Sequence, residues 1–227
     1  MVNALVTNAL VSAAPPEWAA AERRLLLAYA PPTARSGAAA LLELDDVMSG
    51  VLRSTTQPMI GQIRLTWWHE ALSALDAAPP PAHPLLVALA AIVKPGGVTG
   101  AELARLVEGW EELLDPELLD AAALGRFATL RGAGLFDAIA RVLGATGDPV
   151  RVAGEGWALA DLAQHTSDAT LAKRAAALAQ PHLDQARRHR WSRPGRMLGA
   201  MTHLAGGSHR TPAQRTARAL WHRITGS

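Results

Sequence analysis

Apolar residues along the chain recur at three- and four-residue spacing, and proline or glycine closes each run. This punctuation predicts helices over 17–30, bounded by Pro15-Pro16 and Pro31-Pro32, and over 33–52. A third spans 57–72, "QPMIGQIRLTWWHEAL", where Pro58 suits the first helical position because it lacks an N–H that would go unpaired there. The proline-rich connector "DAAPPPAHP" (76–84) leads into a short apolar helix, "PLLVALAAIV". After the break "KPGGVTGAEL", Thr99 can cap a helix over 100–114. Further helices are expected at 116–129, 131–144, 148–165, 168–190, 194–205 and 212–225. No stretch alternates with period two for long enough to propose a sheet, and neither an internal repeat nor a domain boundary stands out. The expectation is one all-α, single-domain bundle over 1–227.

Composition strengthens that reading. Alanine and leucine dominate the apolar residues, while aromatics are confined to seven Trp, two Phe and one Tyr; strands favour β-branched and aromatic residues, helices the former pair. The absence of cysteine excludes disulfides and thiolate metal sites. The first residues, "MVNALVTNALVSAAPPEW", lack a basic start and are interrupted by Asn3 and Asn8, so they are not read as a signal peptide. The longest apolar run, Pro84 to Val93, is about half of what a membrane-spanning helix needs. The expected location is cytoplasmic, with peripheral attachment to the inner membrane as a further option. That option comes from charge: residues 181–227 hold nine arginines and the single acid Asp184, so a chain of net charge +2 ends in a strongly basic helical segment. Such a segment suits phosphates, an anionic lipid surface or an acidic partner, and equally a solvated face balanced by the acidic body. Nucleic acid is not expected, because only Trp191 and Trp221 interleave with those arginines and no recognition motif accompanies them.

Candidate chemistry is sparse. "LLELDDVMSG" sets Glu43, Asp45 and Asp46 among Leu41, Leu42, Leu44 and Met48, a pattern that can turn one acid inward. In "GEGWALADLAQHTSD", Asp161 and His165 are four apart, on one helix face where they can pair or share a metal. His69-Glu70 lacks the second histidine of a zinc-protease motif, and no phosphate-cradling loop, serine elbow or dinucleotide fingerprint occurs. In the third helix, Ile60, Ile63, Trp67, Ala71 and Ala74 form a stripe expected to face the core. Arg64 and Trp68, one turn apart, can stack as cation and ring, and the helix suits core packing or the lining of a cavity equally. "GLFDAIARVLG" reads as a core helix.

The stretch "LLELDDVMSGVLRSTTQPMIGQIRLTWWHEAL", an acidic helix followed by one carrying Arg-Leu-x-Trp-Trp, resembles the squalene/phytoene synthase family. "HPLLVAL", "LVEGWEELLDPE", "LRGAGLFDAIARVLG" and "GEGWALADLAQHTSD" follow in family order, so the resemblance spans about residues 23–168. It implies an isoprenoid-synthase-like bundle around a central cavity. Active members of this family join two prenyl diphosphates head to head, using two Asp-x-x-x-Asp motifs on facing helices. Carboxylates one turn apart chelate the Mg2+ that bridges to diphosphate, and the apolar cavity shields the carbocation.

This chain departs from that pattern. Asp45 stands where the first motif begins, but Ser49 replaces its partner. Where active members have Asn-x-x-Arg-Asp, the chain has Asp161, Gln164 and His165, and Ala169 follows where an acid is expected. Asp46 and Asp168 are one residue out of phase, about 100° round the helix. The pattern resembles the degenerate branch of the family that includes the assembly factor of respiratory complex I. Two readings follow. In the first, a binding or assembly factor of little or no catalytic activity needs no cofactor and meets a complex I subunit, an isoprenoid or the membrane surface. In the second, an active prenyl-diphosphate transferase uses Mg2+ on Asp45 and Asp161, with Arg64, Trp67, Trp68, Gln164 and His165 lining the substrate cavity.

Overall fold

Prolines start four of the helices in a computed structural model of the chain, which describes residues 17–55, 57–115, 119–206 and 211–226. The helices are α1 (Glu17–Leu27), α2 (Pro32–Arg53), α3 (Pro58–Ser73), α4 (Pro84–Ala90), α5 (Gly100–Glu111), α6 (Ala121–Phe127), α7 (Gly134–Leu143), α8 (Val150–His165), α9 (Ala169–Arg187), α10 (Arg196–Leu204) and α11 (Pro212–Thr225). Pro32, Pro58, Pro84 and Pro212 open α2, α3, α4 and α11, where their missing N–H costs nothing. Thr99 caps α5 in a reciprocal capping box with Glu102, as its position predicts, and Asp76 adds its carboxylate to the N–H groups of Gly100 and Ala101. No strand forms among the described residues beyond an isolated bridge between Val93 and Val98. No described helix is long and apolar enough to cross a membrane. The reading of the first sixteen residues falls outside the described part of the chain, as does the start of the helix expected at 116.

The chain does not break between 129 and 131. Ala128–Ala133 winds as a π-helix that carries α6 directly into α7. π-segments insert a residue into the helical ladder and so rotate everything beyond them. This one is clasped on both sides by glycine. A Cβ on Gly109 of α5 would lie 2.7 Å from the Arg131 backbone nitrogen, and one on Gly132 would lie 2.3 Å from the Gly154 carbonyl oxygen of α8. α8 runs against α9 as well, α3 against α5 and α2 against α7, and these layers enclose one core.

Two readings of α3 are overturned. Ile60, Ile63 and Trp67 are exposed, as is Ala74, and the helix buries Gly61, Leu65, Trp68, Ala71 and Leu72 instead. Gly61 lies on the buried face, where a Cβ would come 2.8 Å from Leu114 Cδ2 and 3.2 Å from Thr55 Cγ2, side-chain atoms that would have to shift to admit it. Arg64 does not stack on Trp68; it donates to Ser54 Oγ at 2.8 Å and reaches Thr55 Oγ1 at 3.4 Å. Trp68 packs edge-on against Trp67 and His83, each at 5.1 Å between centroids.

The basic end is folded into the bundle and partly spent on it. Arg215 forks onto both oxygens of Glu22 (2.6 and 2.7 Å) and donates to the Leu204 carbonyl. Arg187, Arg190 and Arg196 donate to the carbonyls of Ala205, Thr225 and Arg223. Guanidinium groups thus satisfy carbonyls that helix ends leave open.

Candidate functional site

Asp45 of α2 and Asp161 of α8 converge, as the resemblance implies, but between them lies a guanidinium. Arg131, brought in by the π-helix, is 2% exposed. Its Nε and Nη2 fork onto Asp45 Oδ1 and Oδ2 at 2.7 and 2.8 Å, and Nη2 also donates to Asp161 Oδ2 at 2.7 Å. Its Cζ lies 4.1 Å from the Trp110 ring centroid, 4.7 Å from Trp157 and 5.3 Å from Phe127. Desolvated cation–π contacts of this kind contribute about 2 kcal/mol. The planar fork matches a carboxylate in a way that a lysine ammonium cannot.

Every carboxylate oxygen of the pair accepts a hydrogen bond. Asp45 Oδ1 also takes the indole N–H of Trp110 at 3.2 Å, and Asp161 Oδ1 lies 3.1 Å from His165 Nδ1. That same nitrogen is 2.9 Å from the Asp161 carbonyl oxygen. Both neighbours are acceptors, so Nδ1 bears the proton. Burial alone would push the Asp161 carboxyl up, but the attraction of Arg131 and the hydrogen bond from His165 outweigh it and hold the group well below the usual carboxylate range. Burial would lower Arg131, and the charges of Asp45 and Asp161 reverse this and raise it. The hydrogen bond to Asp161 raises His165 above its ordinary 6.5 against the opposing effect of burial. With His165 protonated, two carboxylates face two cations and the cluster is neutral.

The other acids and polar residues of the two motifs are engaged elsewhere. Ser49 Oγ accepts from Arg53, Asp46 is forked by Arg23 on the surface, and Glu43 is exposed. Gln164 is exposed and donates to the Ala160 carbonyl. Asp168 caps α9 through the N–H groups of Thr170 and Leu171. Arg64, Trp67 and Trp68 lie on α3, outside the hydrogen-bonded cluster. Among the described residues, no three His, Asp or Glu side chains gather where they could hold a metal ion.

The family model for squalene/phytoene synthase matches residues 20–169, well over half of the chain. The protein belongs to the squalene/phytoene synthase family. Comparison with curated proteins and with solved structures gives no match. Within this squalene/phytoene synthase-family chain, Asp161 is marked by its one-turn spacing to His165 and Asp45 by the resemblance to the family's first motif, whereas nothing so direct marks Arg131. The available signal was an arginine set in the small-residue run "RGAG". Small neighbours let helices close over such a residue, and a buried arginine must then find acids.

The raised proton affinity of His165 fixes a pH dependence. The folded state holds this proton more tightly than the unfolded chain, so the stabilisation is complete below about pH 6.5 and is lost as pH rises through the folded value. Thermal unfolding followed between pH 6 and 9 is expected to show a downward slope that His165→Asn flattens. Parallel curves for the two proteins would refute the assignment.

Proposed function

We propose that this family member has kept the fold and given up prenyl transfer, and that it works as a binding or assembly factor, with respiratory complex I as the candidate assembly because its sequence resembles the branch that includes that complex's assembly factor. The observation that carries the reading is Arg131 forked onto Asp45 and reaching Asp161. Divalent cations in prenyl transfer neutralise a leaving diphosphate and need several free carboxylate oxygens in octahedral geometry. Here a fixed cation takes up the same two acids, and all four of their oxygens already accept hydrogen bonds. These residues do not fit a Mg2+ cluster. Ala169 offers no ligand to complete one, and Ser49 only a neutral hydroxyl that already accepts from Arg53.

The test is direct. Incubated with farnesyl or geranylgeranyl diphosphate and Mg2+, the protein is expected to form no head-to-head condensation product, and Mg2+ is expected to leave its unfolding temperature unchanged with or without the diphosphate. Product formed at ordinary enzymatic rates, abolished by Asp45→Ala, would establish the active-transferase reading instead.

A further inference from the structure

We infer that the protein carries a second site, for a phosphate-type anion, in a hollow where α1, α10 and α11 meet. The hollow, about 700 Å3 including its open mouth, is lined by Tyr29, Arg193, Arg196 and Arg223, flanked by Pro31 and Pro194. Among the described residues its lining holds three arginines and no acid. The neighbouring acids are engaged elsewhere: Glu22 holds Arg215, and Asp148 accepts from Ser192 N and Oγ with His189 beside it. Neither lines the hollow.

The contrast with a second hollow is instructive. That one, lined by Glu102, Arg105, Asp137, Arg141 and Arg151 among others, has acids of its own, and Arg141 and Arg151 pair with Glu102 and Asp137. Its charge is largely cancelled. At the first hollow two of the cations, Arg196 and Arg223, are held by neutral groups rather than by acids. Arg196 Nη1 donates to the Arg223 carbonyl, and the Arg223 Cζ sits 5.4 Å from the Tyr29 ring centroid. Arg196 and Arg223 are therefore positioned by neutral groups, and no ion pair to an acid engages either of them among the described residues.

Two buried polar atoms complete the site. The Tyr29 hydroxyl and Arg196 Nε are shielded from solvent, and neither has a hydrogen-bond partner among the described residues. Buried donors of this kind are ordinarily satisfied. A turn of these two side chains toward the hollow would let an anion with several acceptor oxygens accept from both, with Arg193 and Arg223 closing on it. Arginine forks recognise phosphate oxygens with this geometry, and a diphosphate or a phosphomonoester headgroup has the charge to match them.

Titration calorimetry with inorganic pyrophosphate, in EDTA so that no metal-mediated binding at Asp45 and Asp161 is read, tests the site. The wild type is expected to bind, and Arg193→Ala/Arg223→Ala to lose affinity tenfold or more. Tyr29→Phe, which keeps the packed ring, should weaken binding by several-fold, and Arg105→Ala at the neutralised hollow should leave it unchanged. Co-sedimentation with phosphatidylcholine vesicles containing phosphatidic acid separates the sources. Binding that pyrophosphate displaces assigns a lipid headgroup, and pyrophosphate binding without vesicle binding assigns a soluble phosphate. Failure of the wild type to bind either overturns the proposal, as does an equal loss in Arg105→Ala. An acidic peptide bound as tightly and lost with the same variants would overturn it in favour of a protein partner.

Discussion

Replacing Arg131 by methionine is expected to destabilise the protein by about 3–5 kcal/mol at neutral pH, because it strands two carboxylates against an indole with their counter-charge gone. The volume lost is small, so the effect is one of charge. Lysine at the same position restores the charge but neither the fork nor the planar stack on Trp110 and Trp157, and should recover only part of the loss. The pH response distinguishes this from a packing defect. In the wild type, Asp161 titrates below its unfolded value, so its contribution is present above about pH 4 and falls away in acid. In Arg131→Met the pull of the guanidinium is lost while burial and the His165 hydrogen bond remain, so the folded value rises and the loss of stability in acid becomes smaller than in the wild type. Adding Asp45→Asn and Asp161→Asn should restore much of the loss, since a neutral cluster needs no cation. Urea denaturation of the series measures all four effects. A loss below about 1 kcal/mol for Arg131→Met would show that the guanidinium is not what holds the acids.

This arrangement has a functional consequence. A metal cluster assembles with its diphosphate and leaves with it, so the acids of an active site must tolerate both states. A guanidinium in the chain is permanent, and the helices carrying Asp45 and Asp161 are tied without any ligand. The same tie that supports a non-catalytic role therefore also stiffens the middle of the bundle, joining α2, α5 and α8 through one side chain.

Most of the helices could be read from the chain because their ends are chemically marked. Pro58, Pro84, Thr99 and Pro212 act through local geometry alone, and no distant contact overrides them. The face of α3 could not be read. Apolar residues lie all round it, so periodicity offers two stripes, and the choice between them falls to tertiary packing, which sets Gly61 against Leu114. Asp161 was legible from its one-turn spacing to His165, and Asp45 only from the resemblance to the family's first motif, since Ser49 stands one turn beyond it. Their cation was not, because Arg131 is 86 residues from Asp45 and its direction depends on a π-segment that no local propensity announces.

Gly154→Ala is the second large effect, and it acts on the same cluster from behind. A Cβ at Gly154 would fall 2.2 Å from the Gly132 carbonyl oxygen and 3.0 Å from the Ala133 Cα. These are backbone atoms within the core and cannot swing aside as a side chain would. The helix must move instead, at a cost at the upper end of that for overpacked cores, about 3 kcal/mol. Gly125→Ala provides the control. It lies within α6 with nothing inside 4 Å of the added carbon, and there the gain in helix propensity should stabilise by about 0.5–1 kcal/mol. Displacing α8 also draws Asp161 and Trp157 away from Arg131, so part of the cost should be loss of the ion pair. The double variant Gly154→Ala/Arg131→Met is then expected to lose less than the two single variants added together, by more than about 0.5 kcal/mol. Strict additivity would mean that the glycine contact and the charge cluster are separate structures, and that the close crossing of α8 over the π-helix does not position Asp161.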